Sequence, residues 1–266
     1  MGRVRDSVGQ LIARYLQRPV RGYEPFTPSD PEALRQSLAP GDVLLVEGNN
    51  HISGVIKYLT QSTWSHSALY VGPIEGRFAV DGEPHVLIEA NVGEGVVSAP
   101  LSKYFRFHTR ICRPVGLDDQ ALRKVIDYAV ARIGKQYDSR RIIDLARYLF
   151  PYPPVPVWFR RRMLAIGSGD PTKAICSTLI AEAFASIRYP ILPERVSING
   201  KTYGVGPFVL SETEHIRKHG LYTPRDFDVS PFFAIVKPTL AAGFDYHTVQ
   251  WGPPGVAPAD LEEAAE

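Results

Sequence analysis

Cysteine is scarce in this chain: two residues in 266, Cys112 and Cys176. That excludes a disulfide framework beyond a single bond, so each thiol needs its own explanation. Long apolar runs are missing too, and no segment reads as a membrane span. The first twenty residues lack the unbroken apolar core of a secretion signal, because Arg14 and Arg18 interrupt it. An excess of one charge is also absent. Lys and Arg total 30 against 28 acids, a net charge of +2, which does not point to nucleic acid. The seven histidines show no metal-ligand spacing with Cys or acids, His51, His85 and His108 included, and no phosphate-binding glycine loop is found. The expectation is therefore a cytoplasmic protein with no metal, cofactor or nucleic-acid partner.

What is present is an ordinary globular composition, 44% hydrophobic, enough for a sizeable core. Residues 3–18 have helical spacing, with Val4, Val8, Leu11, Ile12, Tyr15 and Leu16 on one face and arginines on the rest. Asp30 followed by Pro31 predicts the start of a short helix. Pro40-Gly41 is a turn signal, and the strand 42–47 follows. A helical stretch over 53–59 leads into a strand that ends at Gly72, with His66, Ala68 and Tyr70 on one face. Further strands are predicted over 86–90, after Gly93, and over 105–112. Asp118 caps a helix whose apolar face is Leu122, Val125, Ile126, Ala129, Val130 and Ile133, and Gly134 is expected to end it. A second helix is expected through Leu149. Thr223-Pro-Arg-Asp226 reads as a turn before a last strand over 232–236. Strands early, helices interleaved and short antiparallel connections predict an α+β domain on one twisted antiparallel sheet.

The stretch after Lys173 places Cys176 at the start of a helix, with Leu179, Ile180, Ala183, Phe184 and Ile187 forming a buried stripe. A thiol there sits beside unpaired backbone N–H groups and the positive end of the helix dipole, and both favour the nucleophilic thiolate. Taken alone, the stretch is better read as a buried structural cysteine, as most free cysteines are. The upstream strands change that reading. His66 lies within a strand between Ser65 and Ser67, where packing can hold an imidazole as a base. Glu89, between Ile88 and Ala90, is a carboxylate in an apolar strand and should have a partner. Accepting from the His66 ring, it would fix the tautomer, as the third member of a triad does. Cys112, beside Ile111 and Arg113, reads as structural.

Gly41-Asp42, Trp64-Ser-His66-Ser-Ala-Leu-Tyr-Val-Gly72, Ile88-Glu89-Ala90, Gly134-x-x-Tyr137-Asp138 and Ile175-Cys176-Ser177-x-Leu179 together carry a resemblance. The chain resembles the circularly permuted, NlpC-like branch of the papain-fold cysteine hydrolases, nearest the YaeF/YiiX-like amidases. The resemblance implies a permuted papain-like fold with the nucleophile helix packed against the sheet, entered last. It implies Cys176 as nucleophile, His66 as base and Glu89 as orienter, in a thiol hydrolase that cleaves an amide or ester through an acyl-enzyme. Tyr137 matches a family tyrosine near the site and is the candidate oxyanion or positioning group, beside the backbone N–H of Cys176. The expected substrate is a peptide, amide or acyl compound.

The expected division is an N-terminal amphipathic extension over 1–37, the hydrolase domain over 38–238, and a partly disordered tail over 239–266. Within the domain, about 138–170 departs from the family as an insertion in which Arg140, Arg141, Arg147 and Arg160-Arg161-Arg162 alternate with aromatics and prolines. A solvated cationic cap explains it most simply. Its functional alternative is a cover over the site that meets anionic lipid or an acidic substrate. Two rival functions are kept: an acyltransferase of the lecithin:retinol acyltransferase type on the same residues, and an inactive module. The latter would bind a membrane surface through the N-terminal helix and the Arg160–Arg162 region.

Overall fold

In the computed structural model the described residues are 18, 30–91, 94–135, 175–192, 195–198, 201–204, 222–241, 243, 245 and 247. The N-terminal helix candidate, Tyr137, the predicted helix through Leu149 and the arginine-rich segment lie outside them.

Helix α1 (Pro31–Ser37) begins as the sequence predicts: the Asp30 carboxylate accepts from the Ala33 N–H at 2.7 Å, with Pro31 in the first turn. Gly41 then turns the chain with φ +92°, and a Cβ there would lie 2.5 Å from Leu122 Cδ1, so both backbone and packing require glycine. Strand β1 (Val43–Val46) follows, then α2 (His51–Thr60), capped by Asn50 through a 2.8 Å bond from the Ser53 N–H. The remaining elements are β2 (His66–Tyr70), β3 (His85–Asn91), β4 (Gly95–Pro100), a 3-10 turn (Leu101–Tyr104), β5 (Thr109–Pro114) and α3 (Asp119–Val130). After them come α4 (Ile175–Ala185), the β6–β7 hairpin (Arg195–Ile198 and Lys201–Gly204), α5 (Pro224–Asp228), β8 (Phe233–Val236) and α6 (Pro238–Ala241).

Six strands form one sheet in the order β4-β3-β2-β1-β5-β8, every pair antiparallel. Alternation gives it two apolar faces. On one face Leu45, Leu69 and Ile88 pack with Val125 and Ala129 of α3 and with Leu179, Ile180 and Phe184 of α4. On the other, Leu44, Leu87 and Ile111 pack with Leu34 of α1 and with Leu101 and Tyr104 of the 3-10 turn. Buried Asp42 ties the entry of β1 to β5: Arg113 donates through Nε and an Nη at 2.8 and 2.7 Å, and the Ala39 N–H donates at 2.8 Å. The fold is α+β with the cysteine helix against an antiparallel sheet.

Three local expectations need correcting. Helix α3 stops at Val130, because the Arg132 and Ile133 N–H groups turn to carbonyls three residues back and Gly134 donates to Val96 of β4 at 2.8 Å. Val130 thereby leaves the apolar face, 37% exposed. Thr223–Asp226 is a capping box that starts α5, with the Asp226 carboxylate accepting from the Thr223 N–H at 2.8 Å. Helix α4 is buried on more than one stripe: Ser177, Thr178 and Ala181 are buried along with Leu179, Ile180, Ala183 and Phe184, whereas Ile187 lies beyond its end and is partly buried. A helix buried nearly all round is a core helix rather than a surface one.

Candidate active site

The site forms where β2 and β3 part. Their pairing runs Leu69↔Ile88 and Tyr70↔Leu87, and toward the start of β2 the ladder is not continued. The N–H of Ser67 therefore has no β3 carbonyl to meet, and it faces the sulfur of Cys176, whose thiolate it favours. The Ser67 hydroxyl also reaches that sulfur, and it hydrogen bonds with the Ser177 hydroxyl at 3.2 Å. Both serines are fully buried, so the hydroxyl pair fixes the first turn of α4 against β2.

His66 opens β2, with Val46 of β1 as its register partner. Its Nε2 lies 2.8 Å from Glu89 Oε2. The Cys176 sulfur also acts on the ring, and since Nε2 is engaged by Glu89, Nδ1 is the nitrogen left for the thiol. Glu89 sits on β3 with no solvent exposure. A bare carboxylate there would be costly, and it is offset by donors on both oxygens. His66 and the Tyr104 hydroxyl meet Oε2; the Lys103 ammonium and Asn91 Nδ2, the latter at 3.2 Å, meet Oε1.

The titration behaviour follows from these contacts. Burial pushes the Cys176 thiol up, but the charge and hydrogen bond of His66 and both Ser67 donors bring it down to about 7. Burial would push the His66 imidazole down, yet the Cys176 sulfur and the Glu89 carboxylate hold it up at about 10. Burial likewise opposes the Glu89 charge; His66 and then Lys103 outweigh it and keep the carboxyl well below its usual range. The contacts thus favour the thiolate–imidazolium–carboxylate state over a neutral thiol and imidazole. Cys112 is the contrast. Buried in β5, its thiol is pushed up by burial and then by Asp228, so it stays protonated.

The three residues singled out from the sequence are brought together; Tyr137 lies outside the described residues. Sequence reasoning missed Tyr104, Lys103, Asn91 and the Ser67–Ser177 pair. Tyr104 and Lys103 reach Glu89 across 15 and 14 residues, because the 3-10 turn after β4 folds back over β3. No spacing rule in the sequence marks that return. Among the described residues no group of three or more His, Cys, Asp or Glu side chains could hold a metal ion, and no helix is long and apolar enough to cross a membrane.

Residues 37–148 match the model of the permuted papain-like amidase family, YaeF/YiiX, C92. The family found is the family the motifs resemble. His66 and Glu89 fall inside the matched permuted papain-like stretch and Cys176 beyond it. The match supports a cysteine hydrolase of the papain-like amidase kind. Among solved structures, the crystal structure of metalloprotein yiiX from Escherichia coli O157:H7 aligns with a TM-score of 0.44 at 16% identity, covering 76% of this chain and 97% of that one. Among curated proteins, the Holliday junction branch migration complex subunit RuvB of Staphylococcus saprophyticus is 26% identical over 150 residues, 54% of this chain. The chain covers 44% of that relative's length.

Proposed function

We propose that the protein is a thiol hydrolase that cleaves an amide or ester through a Cys176–His66–Glu89 triad. The observation that carries it is the 2.8 Å His66–Glu89 hydrogen bond together with the mutual influence of the buried Cys176 sulfur and the His66 ring. The Cys176 thiolate attacks the substrate carbonyl carbon, and the carbonyl electron pair moves onto oxygen. The Cys176 backbone N–H is the donor for that oxyanion. It lies in the first turn of α4, where backbone N–H groups have no intrahelical acceptor. On collapse the C–N or C–O bond breaks while the His66 imidazolium gives its Nδ1 proton to the leaving group, forming the thioester. Neutral His66 then takes a proton from water as the water attacks the thioester. Collapse returns the thiolate and imidazolium and releases the acid.

Throughout, Glu89 holds Nε2–H, so the ring neither flips nor changes tautomer. Tyr104, Lys103 and Asn91 act one step further out as positioning residues: they keep Glu89 ionised and immobile. The test is hydrolysis of N-acyl amide and aryl ester probes by the wild-type protein and by Cys176→Ala. Loss of turnover in a variant with unchanged circular dichroism is expected, with an acyl adduct on Cys176 seen by intact mass in the wild type. Full turnover in Cys176→Ala would overturn the proposal. An adduct passed to an added alcohol or amine faster than to water would make the enzyme an acyltransferase on the same residues.

A further inference from the structure

A cavity of about 640 Å³ is lined by Lys57, Trp64, His108, Arg110, Arg225 and Asp228 among others. It lies at the same end of the sheet as the triad. Trp64 is two residues before His66, and Arg110 of β5, Leu45 of β1 and Ser67 of β2 stand in one row across the sheet, on the face against which α4 packs. Neighbouring strands are about 4.8 Å apart, so Arg110 stands about 10 Å from Ser67, the residue that meets Cys176, across β1.

Its charges do not cancel. Lys57 pairs with Glu47 at 3.1 Å, and Arg110 pairs with Asp228 at 2.6 Å. Asp228 is doubly held, since Trp64 Nε1 also donates to it at 3.0 Å. Those two carboxylates are thus neutralised. Arg225 instead gives one Nη to the carbonyl of Thr60 at 2.9 Å, and among the described residues no carboxylate pairs with it. The wall beneath is rigid: the Trp64 ring stacks on His108 with centroids 5.0 Å apart, and the Arg110 guanidinium lies 4.9 Å from its centroid. A partly buried guanidinium, anchored at one nitrogen and with no carboxylate partner among the described residues, is suited to a planar oxyanion.

We propose that this cavity is a substrate subsite for an anionic oxygen group, a carboxylate or a phosphate, carried about 10 Å from the scissile carbonyl. Arg225 is its specificity-determining residue. The inference rests on the hydrolase reading, because it assigns the substrate class to that same site. It selects acyl compounds with a remote negative charge over neutral ones of equal length.

The experiment compares two 4-nitrophenyl esters of octanedioic acid, one with its far carboxylate free and one with it capped as the methyl ester. The ratio of kcat/KM, free over capped, is expected to exceed about tenfold at low salt, from one charge-assisted hydrogen bond, and to shrink as salt rises. In Arg225→Gln the ratio falls to about one, and Arg225→Lys recovers part of it. Lys124→Gln, an exposed cation on α3, leaves the ratio as in the wild type. In parallel, titration calorimetry of Cys176→Ala with octanedioate gives a binding heat that added Arg225→Gln removes. A wild-type ratio near one, or a ratio untouched by Arg225→Gln, would overturn the subsite. Absent calorimetric binding with Cys176-dependent turnover intact strikes the subsite alone. Intact binding with no turnover, or with turnover surviving Cys176→Ala, strikes the hydrolase reading alone.

Discussion

Replacing Glu89 with Gln is nearly isosteric, yet it removes the charge on which the site's protonation depends. In the native site one oxygen faces His66 and Tyr104 and the other faces Lys103 and Asn91, all four as donors. An amide offers one acceptor oxygen and one NH₂, so whichever way it is turned, its NH₂ confronts two donors. Breaking a buried, charge-assisted arrangement by removing one partner costs about 3–5 kcal/mol. The chemical effect has a definite sign. Loss of the carboxylate lowers His66 from about 10, and a less charged imidazole raises Cys176 from about 7 toward its ordinary value. The thiolate fraction at neutral pH falls, and the ring loses the acceptor that fixes its tautomer.

Two assays read this separately. The rate of iodoacetamide alkylation of Cys176 against pH reports the thiolate, and its midpoint should stand near about 7 in the wild type and move upward in Glu89→Gln. The kcat/KM profile of the wild type should be a bell, rising as the pair loses its first proton near about 7 and falling near about 10. The variant should lose roughly 10²–10⁴-fold at the optimum, the scale of a general acid–base contribution. The stability linkage has the same window. His66 is raised on folding, so its contribution is complete below its unfolded value of 6.5 and lost through about 10. Cys176 is lowered, so its contribution is complete above its unfolded value of 9.0 and lost as pH falls through about 7. An unchanged alkylation midpoint in a folded Glu89→Gln protein would refute the coupling.

The Ser67–Ser177 hydroxyl pair should behave as a unit: each single change to Ala strands a buried hydroxyl and costs about 1–3 kcal/mol, and the double change costs less than the sum. Additive losses of melting stability would argue that the two do not interact. Gly48→Ala places a Cβ 2.2 Å from Ser53 Oγ and 2.9 Å from Ser65 Oγ, for an expected loss of about 1–3 kcal/mol in denaturant titration. Adding Ser53→Ala should restore part of it; no restoration would place the strain elsewhere.

The sequence by itself determined the local pieces. Period-two spacing around His66 gave that strand its faces, the short apolar run around Glu89 marked the next, and the caps at Asp30 and Asp118 set two helix starts, because such signals act within a few residues. It also determined the triad candidates, through motif order rather than geometry. Helix ends were less legible. The end of α3 is set by the Gly134 N–H meeting Val96, a contact with another element that no capping rule contains. Only the tertiary structure decided what surrounds Glu89. Lys103 and Tyr104 reach it by chain reversal, and their donors make a buried carboxylate tolerable. It likewise decided that β2 and β3 part at the site. That parting frees the Ser67 N–H for Cys176, and with the approach of His66 it lowers a thiol that burial alone would have raised.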